Sequence, residues 1–315
     1  MKIATYNVEN LFDLQKSGHE YMEYIPYTPS MWNKVNYHKK LKNIAQVIQG
    51  MNADVIVLQE IESLQSLKDL RYTLKQIGLY YQYYKIADKK NTTIKVALLS
   101  KIPFIYSKEL QVTSSYKYRN ILEVKLKLPD NELYLFVNHW KSKAGPESMR
   151  IVSAKKLLER TQQLGKDKNI ILLGDFNSHY QENKIFIRKR RHNDTNGVTG
   201  INNILKTNDY KYSASLTNVK EGDFYNLWYD TKDINRYSYI FRGKKEALDN
   251  ILISSSLLND KNISYKKGSI TSYKPEYLFK RKNIYRWQVR GKKPRVHKGK
   301  GFSDHLGVTA EFVLH

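Results

Sequence analysis

The chain has 315 residues with 54 Lys and Arg against 30 Asp and Glu, a formal net charge of +24 at pH 7. A hydrophobic content of 41% can bury a substantial core, which excludes a wholly disordered chain. The lack of cysteine excludes a disulfide scaffold, a thiolate zinc site and a cysteine nucleophile, and no apolar run reaches the ~18 residues of a membrane span.

In chain order, Met1-Lys2 leads straight into an apolar run at residues 3–8, which reads as a strand and not as a signal segment. The expectation is a soluble monomer, cytoplasmic by default, or secreted or periplasmic if a signal was removed upstream. That strand carries Asn7 and is followed by Glu9 and Asn10. Leu41, Ile44, Ala45, Val47, Ile48 and Met51 repeat at three and four, predicting a helix. A strand at 54–58 ends in Gln59-Glu60. A second helix runs through Leu64, Leu67, Leu70, Leu74 and Ile77 behind Ser63 as its N-cap. Strands are expected near residues 96–100, 104–112 and 120–128. A strand at 133–137 ends in Asn138-His139, and a third helix covers about 147–164. The strand at 169–173 ends in Gly174-Asp175-Phe176-Asn177, and further strands fall near 237–241, 247–253 and 307–312. Many strands, few helices and no regular βαβ alternation predict two packed sheets with helices outside, in one domain over 1–315.

Two segments interrupt the pattern. Residues 188–191 are four consecutive cations. Residues 266–300 hold thirteen cations with Glu276 as their single acid, and interleave Tyr273, Tyr277, Phe279, Tyr285 and Trp287. A Lys-rich compositional bias would spread cations evenly, so this basic insertion predicts a surface for a polyanion, with aromatics available to stack on unpaired bases.

Asn7, Glu60, His139, Asp175, Asn177, Asp249, Asp304 and His305 fall mostly at strand ends, where rigid scaffolds place their sites. Carboxylates converging at one sheet edge would repel one another unless a cation sat among them. Oxygen ligands without cysteine favour Mg²⁺ or Mn²⁺ over zinc. Each residue has an ordinary structural alternative: turn chemistry for Asn177, a strand-end cap for Asp249, a surface position for Arg119 and a solvated chain for Lys141.

The segments 5–12 (TYNVENLF), 58–60 (LQE), 138–142 (NHWKS), 174–177 (GDFN), 248–251 (LDNI) and 303–305 (SDH) resemble, in order, the endonuclease/exonuclease/phosphatase superfamily. The first and third are most similar to bacterial nucleases of the deoxyribonuclease I-like branch. The resemblance implies a four-layered α/β sandwich with two mixed sheets, and a metal-dependent phosphodiesterase cleaving DNA, or RNA, with little sequence preference. It implies that Asn7, Glu60 and Asp304 hold the metal and that Asp175 and Asn177 orient the water and the phosphate. Asp249 would fix the tautomer of His305, and His139 would serve the leaving group or the phosphate. Arg119 matches a phosphate-contacting arginine, Lys141 is a weaker counterpart, and Glu9 matches an acidic position in some relatives. One departure stands out: the strand at 94–100 has no acid to orient His139, only Lys95. Two other readings are a phosphoesterase of the same superfamily acting on a phosphoinositide or sphingomyelin, and an inactive nucleic-acid-binding module.

Overall fold

The computed structural model describes residues 1–129, 131–186, 192–207 and 219–315; the cationic run at 188–191 lies outside them. β1 (Lys2–Leu11) runs parallel to β2 (Val55–Ile61), and α1 (Lys34–Met51) makes the crossover. The side chain of Asn33 caps α1 by accepting from the backbone of Val35 and Asn36. α2 (Leu64–Gln76) follows β2 and starts in a reciprocal capping box between Ser63 and Ser66, so the expected N-cap is present. β4 (Lys95–Ser100) pairs antiparallel with β2 and β3 (Tyr83–Ile86) antiparallel with β4, while β14 (Val308–Leu314) flanks β1 on the other side.

The second sheet repeats this plan. β5 (Phe104–Leu110), β6 (Ile121–Leu128) and β7 (Asn131–His139) form an antiparallel meander. α3 (Glu147–Leu164) crosses over to β8 (Ile170–Asp175), parallel to β7, and β12 (Asp249–Ser254) pairs antiparallel with β8. Each sheet thus has one parallel pair among antiparallel strands.

Period-two alternation divides the apolar side chains between layers. Ile3, Val55, Val57, Val96 and Leu98 of the first sheet meet Val124, Leu135, Val137, Ile171, Leu173 and Ile251 of the second in one core between the sheets. The opposite face of the first sheet, with Tyr6, Ile56 and Leu58, packs under α1 and α2. That of the second sheet, with Phe136, Ile170 and Leu172, packs under α3. Helix, sheet, sheet and helix make four layers, as expected. Each fully buried aliphatic side chain contributes about 1.5–3 kcal/mol, so these three cores hold the layers in fixed register.

The strand expected at 237–241 is shorter, β10 (Tyr239–Phe241), and leaves both sheets to form a hairpin with β11 (Lys244–Glu246). β3, β9 (Phe224–Asn226) and β13 (Ile263–Tyr265) have three or four residues each, too few for alternation to mark them. The basic insertion at 266–300 packs against the body of the protein. Trp287 is buried at 1% exposure, and Tyr273, Tyr277 and Phe279 pack against the core under α1, so these aromatics are committed inward. Of its thirteen cations, all but Lys274 face solvent.

Candidate active site

The rows of side chains facing the core between the sheets end in polar residues at one edge. Leu133, Leu135 and Val137 continue to His139; Ile171 and Leu173 to Asp175; Ile253 and Ile251 to Asp249; Ile3 and Thr5 to Asn7. The register aligns them, because Asp175 pairs with His139 on one side and with Asp249 on the other. The site is therefore the last, polar layer of an apolar core. Its pairing demands a glycine: a Cβ on Gly174 would lie 2.1 Å from the carbonyl oxygen of Asn138, and its φ is +134°.

Two irregularities aim further side chains. By alternation Glu60 would follow Leu58 under the helices. A register shift between Gln59 and Ile61, with Glu60 at φ 68°, returns Ile61 to that face and leaves Glu60 lining the cleft. Asn177, at φ 47°, closes a turn in which its N–H donates to Asp175 Oδ1 at 2.8 Å.

The cleft has a volume of about 730 Å³, and Glu60, Arg119, His139, Asp175, Asp304 and His305 line it. The Asn7 amide donates to Glu60 Oε1 at 3.2 Å and to Asp175 Oδ2 at 3.1 Å. Its own oxygen accepts from the backbone N–H of Glu9, so the Asn7 amide N–H clamps two carboxylates together. Asn177 Nδ2 also donates to Asp175 Oδ2, at 3.2 Å. His305 Nδ1 lies 2.7 Å from Asp249 Oδ2, which accepts as well from Ser238 Oγ at 2.6 Å. His305 Nε2 is left facing Asp175, 3.9 Å away. Ser303 Oγ donates to the Asn7 carbonyl and accepts from the His305 N–H, tying the 303–305 turn to β1.

Burial, followed by the nearby Asp304 charge, raises the Glu60 pKa, and burial raises that of Asp175. Burial opposes protonation of His305, but the Asp249 carboxylate outweighs it and holds its pKa well above the usual value. His139 is pushed well below its usual value by burial, then by the charges of Arg119 and His305. Its Nε2 lies 3.6 Å from Asp175 Oδ2, while its buried Nδ1 finds no partner among the described residues. Lys95, on β4 of the other sheet, donates to the Glu62 carbonyl, and among the described residues no acid bonds the Nδ1 of this ring.

Glu60, Asp304 and Asp175 supply hard oxygen donors from crowded, partly desolvated carboxylates, which suits a divalent cation. Asp175, Asp249 and His305 also offer ligand atoms within 4.8 Å of one another. The 2.7 Å bond between the last two marks them as a hydrogen-bonded pair and not as two free ligands.

Arg119 reaches the cleft and donates to the Trp140 carbonyl at 3.2 Å. Lys141 is not among the lining residues; Lys143 is, and it pairs with Glu182 and Glu246. Sequence reading missed Ser238, Tyr239, whose ring lies 4.8 Å from that of His305, and Arg286. Arg286 donates to the buried Glu9 carboxylate and lies 3.2 Å from Asp304, joining the basic insertion to the site. No local signal marks Arg286, because 277 residues separate it from Glu9.

No curated protein matches the sequence. Solved structures share its fold over nearly its full length. A Danio rerio TDP2 humanized by 14 mutations is 14% identical with a TM-score of 0.62, covering 99% of this chain and 98% of that one. D. rerio TDP2 complexed with a single-strand DNA product gives 14%, 0.60 and the same coverage. The Bacteroides thetaiotaomicron mannosyl-6-phosphatase Bt3783 gives 16% and 0.58, covering all of both chains. The family model for Endonuclease/Exonuclease/phosphatase proteins matches residues 2–313. This chain belongs to the endonuclease/exonuclease/phosphatase family.

Proposed function

We propose that this protein is a divalent-metal-dependent nuclease that hydrolyses phosphodiester bonds of DNA with little sequence preference. The observation that carries the reading is the single Asn7 amide binding Glu60 and Asp175 together, with the His305–Asp249 pair facing Asp175 across the cleft. The bound cation, Mg²⁺ or Mn²⁺, would neutralise charge growing on the phosphoryl oxygens. Glu60 and Asp304 would hold it, with Asn7 aligning Glu60.

Asp175 is held by three N–H donors, the Asn177 backbone on Oδ1 and the Asn177 and Asn7 amides on Oδ2, and would orient a water and take its proton. Asp249 accepts from His305 Nδ1–H, which leaves Nε2–H to donate to a non-bridging phosphate oxygen. Arg119 adds positive charge on the same wall. His139, without an orienting partner, serves as a donor to the phosphate or the leaving oxygen.

DNA as substrate is favoured by the exposed cations of 266–300, an excess of positive charge suited to a long polyanion even with Lys266, Arg286 and Arg295 paired to Glu311, Glu9 and Glu23. A neighbour of this fold was solved with a single-strand DNA product, and another is a sugar phosphatase, so fold alone leaves diester and monoester both open. The test is digestion of supercoiled plasmid, linear DNA and RNA beside a sugar phosphate and phosphoinositide micelles, with and without EDTA. Metal-dependent nicking that Asp175→Asn abolishes is expected. Nicking that survives both EDTA and Asp175→Asn, or release of inorganic phosphate from monoesters alone, would overturn the reading.

A further inference from the structure

The ten-residue connection between β5 and β6, residues 111–120, has no regular structure, yet it delivers Arg119 to the cleft. A loop of that length would sample many conformations unless something fixed it. The fixing group comes from another loop. Lys89, between β3 and β4, directs its ammonium at three carbonyls of the 111–120 loop: Thr113 at 2.8 Å, Ser115 at 2.6 Å and Tyr118 at 2.8 Å. An ammonium has three N–H donors, so the loop carbonyls can satisfy all of them. The last carbonyl belongs to the residue immediately before Arg119. A second tie runs beside it, because Glu109 accepts from the Asp88 N–H and from the Asn120 side chain, on either side of the Lys89 and Arg119 positions. Among the described residues the Arg119 side chain has one hydrogen bond, to the Trp140 carbonyl, so its direction depends on the backbone that carries it.

We infer that Lys89 is a positioning residue for Arg119: its ammonium organises the 111–120 loop by three converging carbonyl bonds and so sets where the Arg119 guanidinium meets substrate phosphate. This rests on the reading of the cleft as a phosphate-ester site. Lys89 does not line the cleft, so its effect passes through the loop. The chemistry is specific to lysine. Methionine keeps the stem and loses the donors, and arginine keeps the charge but offers a planar fork that cannot converge on three carbonyls.

Two measurements on the full chain decide it. In the first, kcat and KM for plasmid or bis(p-nitrophenyl) phosphate are compared for Lys89→Met, Lys89→Arg, Arg119→Ala and the Lys89→Met/Arg119→Ala double variant. A misplaced binding group costs about ten- to a hundredfold, so both Lys89 variants should lose that much in kcat/KM, mostly in KM. In the Arg119→Ala background Lys89→Met should add almost nothing. Full activity in Lys89→Arg, or losses that multiply in the double variant, would overturn the inference. The second needs no turnover: limited trypsin digestion after Lys117 and Arg119 should quicken severalfold in Lys89→Met, and an unchanged rate would overturn the proposed hold on the loop. If the wild-type protein cleaves no phosphate ester, the functional reading fails, and the trypsin result still decides whether Lys89 orders the loop.

Discussion

The two edges of the cleft hold their histidines in opposite ways. At one edge His305 is wired through Nδ1 to Asp249, which Ser238 holds in turn, and only Nε2 is left for chemistry. At the other, His139 keeps a buried Nδ1 with no partner among the described residues. A third histidine shows the remaining case. His297, in the basic insertion, accepts at Nδ1 from Trp287 Nε1 at 2.8 Å and meets the Glu23 carbonyl through Nε2 at 2.8 Å, so both nitrogens serve the fold. The partners of an imidazole, more than its place in a motif, separate a tuned group, an adaptable donor and a structural tie.

Four outcomes test that comparison, from the largest effect down. His305→Ala should lower kcat by on the order of 10³-fold, about 4 kcal/mol of barrier, and Asp249→Asn should approach it by favouring the wrong tautomer. A plasmid-nicking time course checks both, and equal losses for His305→Ala and His139→Ala would erase the distinction between the edges.

The pH dependence of stability tests His297. Burial lowers its pKa to about 4 in the fold, against about 6.5 unfolded. Below pH 6.5 the unfolded chain takes up a proton that the folded chain refuses. The contribution is therefore complete above pH 6.5 and is lost as pH falls toward 4, by up to about 3 kcal/mol. In urea denaturation, the stability difference between the wild type and His297→Gln should shrink from pH 7 to pH 5, and an unchanged difference would exclude this role.

Metal binding should stabilise the fold by about 2.7 kcal/mol at a hundred times Kd. Mn²⁺ should therefore raise Tm in the wild type and not in Glu60→Gln; equal shifts in both would move the cation elsewhere. The smallest effect is expected at the unwired edge, where His139→Ala should cost about tenfold in kcat/KM, the scale of one hydrogen bond to a charged oxygen. A larger loss would mean that His139 acquires an orienting partner once substrate is bound.

Local pattern made much of this legible. The three long helices follow from apolar spacing and, for α2, from the Ser63 cap. The polar ends of rows such as 133, 135, 137 and 139, or 171, 173 and 175, point to one sheet edge because side chains alternate along any strand. The basic insertion was legible only as charge. That its aromatics fill the core under α1, and that Arg286 crosses to Glu9 and Asp304, depends on contacts between distant residues. The same holds for Lys143 lining the cleft where Lys141 was expected, since two residues beyond the end of β7 alternation no longer applies.

The sequence by itself determined which residue types stand at strand ends and which faces are apolar, because periodicity and capping are local properties of a chain. Only the tertiary structure decided that Asn7 presents its amide N–H to two carboxylates, that His139 Nδ1 has no partner among the described residues and that Lys89 reaches into the 111–120 loop. Those facts are set by backbone bulges, loop closure and hydrogen-bond competition among groups far apart in the chain, and no window of neighbouring residues contains them.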